Sequence, residues 1–348
     1  MSRCQLASAL MKSLLLGIAL LFLPRTSTAQ FEPPTVTNLR DTRFQGVEED
    51  WTSPALTQSH LRPVRPLIGF VDEKPTYTVE LIQVQWRWGD PIDLYVIKPK
   101  GVKKPPVILH LFGYPTDTDT FKNPKFQEFA TKDGFAAVGF VTALTGHRYH
   151  DIPMKKWFLS ELQQCLAVSA HDVQMVLDYL AARGDLDMDR VGVFAQLSSA
   201  SIGILTSAVD PRIKVLDTWD PWCDWPAFMA FSPFVPKDER ADYVKPEFLS
   251  KVATLEPLEW MPKVQAKKFR LQQRAFEKET PETSKEKLQA AAPPGTTVVM
   301  FIARNDFAKA IGAGGSNSLD WIKGELRSLP AGAESTTAVQ KSAELAPR

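Results

Sequence analysis

The chain has 348 residues, 41 basic and 40 acidic side chains, a formal charge of +1 and 44% hydrophobic residues. This near-neutral balance offers no clustered basic face for nucleic acid, and the length is enough to bury one substantial α/β domain. Residues 1–29 read as a secretory signal peptide that leaves a mature chain near −2, because Arg3, Lys12 and Arg25 are lost with no acid.

The signal consists of Arg3 and Lys12, the apolar run Ser13–Leu23 (SLLLGIALLFL) and small residues Ser27-Thr28-Ala29 before Gln30. The run is short for a bilayer span, and no cysteine follows the cleavage site to carry a lipid. The expected destination is the periplasm or the medium, with no membrane span after cleavage; an uncleaved anchor is the alternative. Residues 30–75, punctuated by Pro33, Pro34, Pro54, Pro63, Pro66 and Pro75, read as an irregular N-terminal arm.

From Thr76 the pattern turns to strands. Tyr77–Val84 is rich in β-formers, Ile92–Ile97 alternates until Pro99, and Gly89-Asp90 between them predicts a hairpin. Pro106–Leu111 reads as a buried strand running into the turn Phe112-Gly113-Tyr114-Pro115. A short helix over 126–132, a strand over 135–140 and a long helix over 162–182 follow. Then come strand 190–194, helix 199–208, strand 213–216, strand 269–273, helix 284–291, strand 296–302 and helix 319–329. Such alternation predicts an α/β domain over 76–330, a mostly parallel sheet flanked by helices and begun by an antiparallel hairpin. Residues 331–348 read as a disordered tail.

The segment DLDMDRVGVFAQLSSASIG, followed by DPRIKVLDTWDP and preceded by HDVQMVLDYLAARG, resembles the nucleophile-elbow region of α/β-hydrolases of the dienelactone-hydrolase and prolyl-oligopeptidase type. The resemblance covers roughly 76–330 and implies an α/β-hydrolase-like fold. In that family a serine sits in G-x-S-x-G on a sharp strand-to-helix turn. The matching residues here are Ala195-Gln196-Leu197-Ser198-Ser199, so Leu197 stands at the nucleophile position. A one-residue slip makes Ser198 the alternative nucleophile, at the expense of placing Gln196 where the turn wants a very small residue.

The resemblance further places Glu277 at the acid position, after the strand FRLQQ, and Asp306 or Asn305 where the histidine is expected. All five histidines, at 60, 110, 147, 150 and 171, lie in the first half of the chain. A serine hydroxyl needs an adjacent base to become a nucleophile, so the triad reads as degenerate at two positions.

Other residues carry weaker signals. His110 ends a strand next to the loop that supplies an oxyanion-hole amide in the resembling family, which makes it a candidate cleft residue or a core histidine. His147, His150 and Asp151 have spacings compatible with a metal on a helical turn, but a loop with solvent-facing polar residues explains them without a ligand; no cofactor or metal is expected. Cys223 and His171 show no elbow context, and Cys165 and Cys223 form either a disulfide or two buried thiols. The stretch 217–262 holds Trp219, Trp222, Trp225, Phe228, Phe231, Phe234 and Trp260, as an aromatic cap or loop. Its rings form either a packed core or, with Tyr114, Trp219 and Trp222, the border of a cleft for a small ligand. Two functions follow: an exported non-catalytic relative that binds a small apolar or aromatic ligand, or an active ester or peptide hydrolase using Ser198 with His110 as the nearest base. A third reading is an accessory protein that uses its proline-rich N-terminal arm to contact a protein partner, which the sequence leaves unknown.

Overall fold

The structure, a computed structural model, describes residues 50–56, 65–86, 90–116, 118–145 and 159–331. Within them the strands are β1 (Leu67–Glu73), β2 (Tyr77–Val84), β3 (Ile92–Pro99), β4 (Pro106–Leu111), β5 (Ala136–Gly139), β6 (Asp187–Gln196), β7 (Ile213–Trp219), β8 (Lys268–Arg274) and β9 (Thr297–Phe301). They form one sheet in the order β1-β2-β3-β5-β4-β6-β7-β8-β9. The first three strands pair antiparallel, as do β3 and β5, while every pairing from β5 to β9 is parallel.

The parallel centre is buried on both faces, which is why β4 reads PVILHL and β5 reads AAVG without a polar alternation. On one face lie α2 (Leu162–Arg183) and α3 (Ser198–Val209), packed on Leu109, Leu111, Val193 and Ala195. On the other lie α1 (Pro124–Thr131) and α8 (Asp320–Ser328); Ile322 and Leu326 of α8 meet Ile108, Phe194 and Val215. Gly192 lets α8 approach, since a Cβ there lies 2.9 Å from the Ile322 Cδ1. The start of α1 follows from Asn123, whose side chain accepts from the Lys125 amide, and from Pro124 in the first turn. Helix α2 stops at Gly184, which adopts the left-handed conformation at φ 72°.

Between β7 and β8 the chain forms short helices, including α4 (Trp225–Phe231) and α5 (Pro246–Val252). Helices α6 (Glu282–Ala291) and α7 (Arg304–Ile311) flank β9.

Three expectations need correction. Strand β1 lies inside the stretch read as an irregular arm, because Pro66 and Pro75 bracket the apolar run LIGFV without interrupting it. Helix α7 occupies a stretch left without an element; it is short, mostly polar and buries no residue. Strand β7 continues to Trp219, since Asp217 finds partners inside the sheet. Cys165 and Cys223 are both buried and are not joined in a disulfide. Among the described residues no helix is long and apolar enough to cross a membrane. The predicted signal peptide, the tail beyond 331 and the His147/His150/Asp151 cluster lie outside the described residues.

Candidate active-site elbow and neighbouring cavity

Strand β6 ends at Gln196, and α3 begins at Ser198. Leu197, the one residue between, has φ 51° and ψ −124°. A positive φ at a branched side chain costs on the order of 1–3 kcal/mol and persists only where the surroundings fix it. Here the Leu197 amide donates to the Trp219 carbonyl at 2.8 Å. From the other side Gly113 presses on the turn: a Cβ there lies 2.4 Å from the Gln196 carbonyl oxygen and 2.8 Å from the Leu197 Cβ. The small residues after the turn serve the same close approach, with Gly203 seated against Ala195 and Leu216.

The three serines of this turn are fully buried, and each hydroxyl is committed. The Ser198 Oγ accepts from the Tyr114 amide at 3.0 Å and donates to the Leu144 carbonyl at 2.9 Å. The Ser199 Oγ donates to the Phe112 carbonyl at 3.0 Å and lies 2.9 Å from the Thr142 hydroxyl. The Ser201 Oγ donates to the Trp222 carbonyl at 2.6 Å. They staple three loops to the start of α3. The Tyr114 amide, in the loop expected to supply an oxyanion donor, is thus occupied by Ser198.

No histidine among the described residues bonds Ser198. The His171 Nε2 sits 3.0 Å from the Ser53 carbonyl, whereas the Cys223 thiol points to the Ser284 carbonyl and burial raises its pKa. The ring of His110 lies on the opposite face of the sheet from α3, among Phe112, Phe126 and Phe194.

Beyond β8, Glu277 pairs with Arg304 at 3.2 Å and lies 3.6 Å from Arg274. Arg274 also makes an ion pair with Asp220, whose φ is 45° and whose carboxyl pKa is raised by burial against the pull of that arginine. Asp306 is exposed in the first turn of α7. The residue that α7 directs at the sheet end is Phe307, with its ring 5.2 Å from Trp219 and the Arg274 guanidinium 5.0 Å from its centre. Asp220, Arg274 and Phe307 were not singled out from the sequence; the Trp219-Asp220-Pro221 run at a strand end was the available signal.

The aromatic stretch after β7 is mainly core. Trp222 and Trp225 are 1% exposed, and Trp222 packs on Phe228 at 4.8 Å and Phe234 at 5.2 Å. Glu256 holds this lobe by accepting from the amides of Asp224 and Trp225 at 2.7 Å and of Leu258 at 3.2 Å. Burial raises its carboxyl to about 7 despite those three donors. The rings of Tyr114, Trp219 and Trp222 have different neighbours. Tyr114 and Trp222 both pack on Phe234, whereas Trp219 lies between Phe194 and Phe307.

A cavity of about 370 Å³ opens on the α1/α8 side of the sheet. His110, Phe194 and Gln196 come from the strand ends, Phe126 and Phe129 from α1, and Gly315 and Ser318 from the segment before α8. His110 is 1% exposed, and neither ring nitrogen has a hydrogen-bond partner. Burial, assisted by the charge of Lys323, lowers its pKa to about 3, so the ring is neutral at ordinary pH. No group of side chains that could hold a metal ion occurs among the described residues.

The mixed sheet, its crossovers and the strained turn after β6 define an α/β-hydrolase fold. Among solved structures, the chain is similar to the acetyl xylan esterase from Paenibacillus sp. R4 (TM-score 0.61, 14% identity, 76% of this chain and 89% of that one). It is also similar to acetyl xylan esterase 1 from Thermoanaerobacterium sp. JW/SL YS485 (0.57, 14%, 74% and 89%). A third is the acylaminoacyl peptidase of Pyrococcus horikoshii (0.50, 14%, 77% and 50%). At these identities the likeness establishes the fold and not the reaction. The sequence matches no protein-family model and no curated protein.

Proposed function

We propose that this chain is an exported, non-catalytic protein on an α/β-hydrolase scaffold that binds a small apolar or aromatic ligand. The observation that carries the reading is Leu197 at the strained turn, where the fold presents a nucleophile and leucine has no atom able to attack a carbonyl. Two further features support it. The neighbouring Ser198 hydroxyl is buried and spent on Tyr114 and Leu144. Phe307 and Arg274 stack on each other at the strand ends, and Glu277, at the acid position, is paired with Arg304 and Arg274.

The test is labelling of the secreted protein with a serine-directed fluorophosphonate, alongside hydrolysis of para-nitrophenyl acetate. The expected outcome is neither labelling nor turnover above buffer. Labelling that disappears in Ser198→Ala overturns the reading in favour of an active hydrolase. N-terminal sequencing of protein recovered outside the cytoplasm tests export, with Gln30 the expected first residue.

A further inference from the structure

We infer that the cavity beside His110 is the ligand site, and that it takes a single-ring aromatic carboxylate bearing a hydrogen-bonding substituent on the ring edge opposite the carboxylate. This deepens the binding role proposed above and rests on it, because the ligand is held and not turned over.

Size, lining and charge each narrow the class. A volume of about 370 Å³ lies at the small end of ligand sites, which suits one ring and not a polymer chain. Phe112, Phe126, Phe129 and Phe194 line it, surfaces that favour offset or edge-on contact with a flat ring. Gly314 and Gly315 form part of the wall at φ 61° and 80°, and a Cβ on Gly314 meets nothing within 4 Å, so no side chain closes the space there.

Lys125 is the one charged residue among those lining the cavity, it is exposed, and it makes no ion pair among the described residues. An anionic group on the ligand therefore meets a cation and no lining carboxylate. The Gln196 side-chain amide and the Ser318 hydroxyl likewise have no hydrogen-bond partner among the described residues, in contrast to the serines of the turn beside them.

His110 supplies the polar end. A buried imidazole with both nitrogens unpartnered is unusual, since buried polar groups are almost always paired. It borders the cavity under a lid of rings, and of these Phe112 and Phe126 are only half-buried. When one of them turns aside, a ligand hydroxyl gains an acceptor and the imidazole gains the partner that the protein withholds.

The experiment is calorimetric titration of the mature chain with para-hydroxybenzoate. Benzoate, para-hydroxybenzyl alcohol and cyclohexanecarboxylate serve as arms that remove the hydroxyl, the charge and the aromatic ring in turn. Para-hydroxybenzoate is expected to bind, with each arm weaker by about fivefold or more. Ser318→Trp fills the cavity from a surface segment and is expected to abolish binding, while Lys125→Gln weakens it by about fivefold. On binding, the His110 ring ¹⁵N resonances should shift.

Equal affinity in Ser318→Trp and the parent places the ligand elsewhere and overturns the site. Failure of every aromatic acid to bind overturns the ligand class. Hydrolysis of para-nitrophenyl acetate by the same samples distinguishes the two readings: turnover with intact cavity binding removes the non-catalytic role and leaves the site. Silence in both assays removes the proposed ligand class and leaves the absence of catalysis standing.

Discussion

The start of α3 and the floor of the cavity lie on adjoining residues of the same strand ends, yet they treat buried polar atoms in opposite ways. At Ser198, Ser199 and Ser201 every hydroxyl has a carbonyl or amide within 3.0 Å. At His110 two ring nitrogens have none. A buried polar group that is fully paired holds the fold together, and one left unpaired costs stability that the fold does not recover by itself. The contrast separates the residues that fasten this scaffold from those available to a ligand.

The largest expected effect attacks the fastened side. Gly113→Val puts carbon atoms within 2.4 Å of a backbone oxygen that the turn cannot move, so a loss above about 4 kcal/mol or outright failure to fold is expected in urea denaturation. A variant as stable as the parent breaks the picture of a loop pressed on the elbow.

Next comes the unpaired side, tested by acid. The pKa of His110 falls from 6.5 to about 3 on folding. The unfolded chain therefore takes up a proton first as pH drops, and stability is lost between these values by up to about 5 kcal/mol. His110→Phe should flatten that dependence and be at least as stable as the parent near neutrality. An unchanged acid limb refutes the assignment.

Glu256 gives a slope of the opposite sign. Its carboxyl rises from 4.5 to about 7 on folding, so stability is fully present below 4.5 and declines by about 3 kcal/mol as pH rises through 7. The two slopes oppose each other between pH 4.5 and 6.5, and thermal melts of Glu256→Gln should show the neutral-side decline removed. The smallest of the four is Ser198→Ala, which strands the Tyr114 amide and the Leu144 carbonyl. It is expected to cost about 2 kcal/mol, read as a shift in the denaturation midpoint.

Legibility from sequence tracked how local the cause was. The parallel strands were visible because both-face burial demands unbroken apolar runs such as Pro106–Leu111, and the elbow was visible because its small neighbours are contiguous. Leu197 could be placed at the turn from Ala195 and Ser199 alone. The partners of the serines could not, since Tyr114, Leu144 and Trp222 reach them from loops distant in the chain. Of the cavity only His110 was visible as a candidate cleft residue: Phe126 and Ser318 come from separated segments, and the aromatic-rich stretch near Trp222 drew attention to rings that turn out to be core. Strand β1 was masked by flanking prolines, and α7 by a polar sequence that buries nothing.

The turn at Leu197 also bears on how readily such a chain could change its chemistry. Restoring a hydroxyl there is one step, but the Tyr114 amide stays held by Ser198, and Phe307 stands at the strand ends where a base would have to enter. On the proposed non-catalytic reading, each change alone would yield no catalysis, and altering Ser198 or Phe307 would disturb packing on the way. Selection acting one substitution at a time would then find no gradient towards hydrolysis, and the scaffold would be committed to whatever its cavity holds.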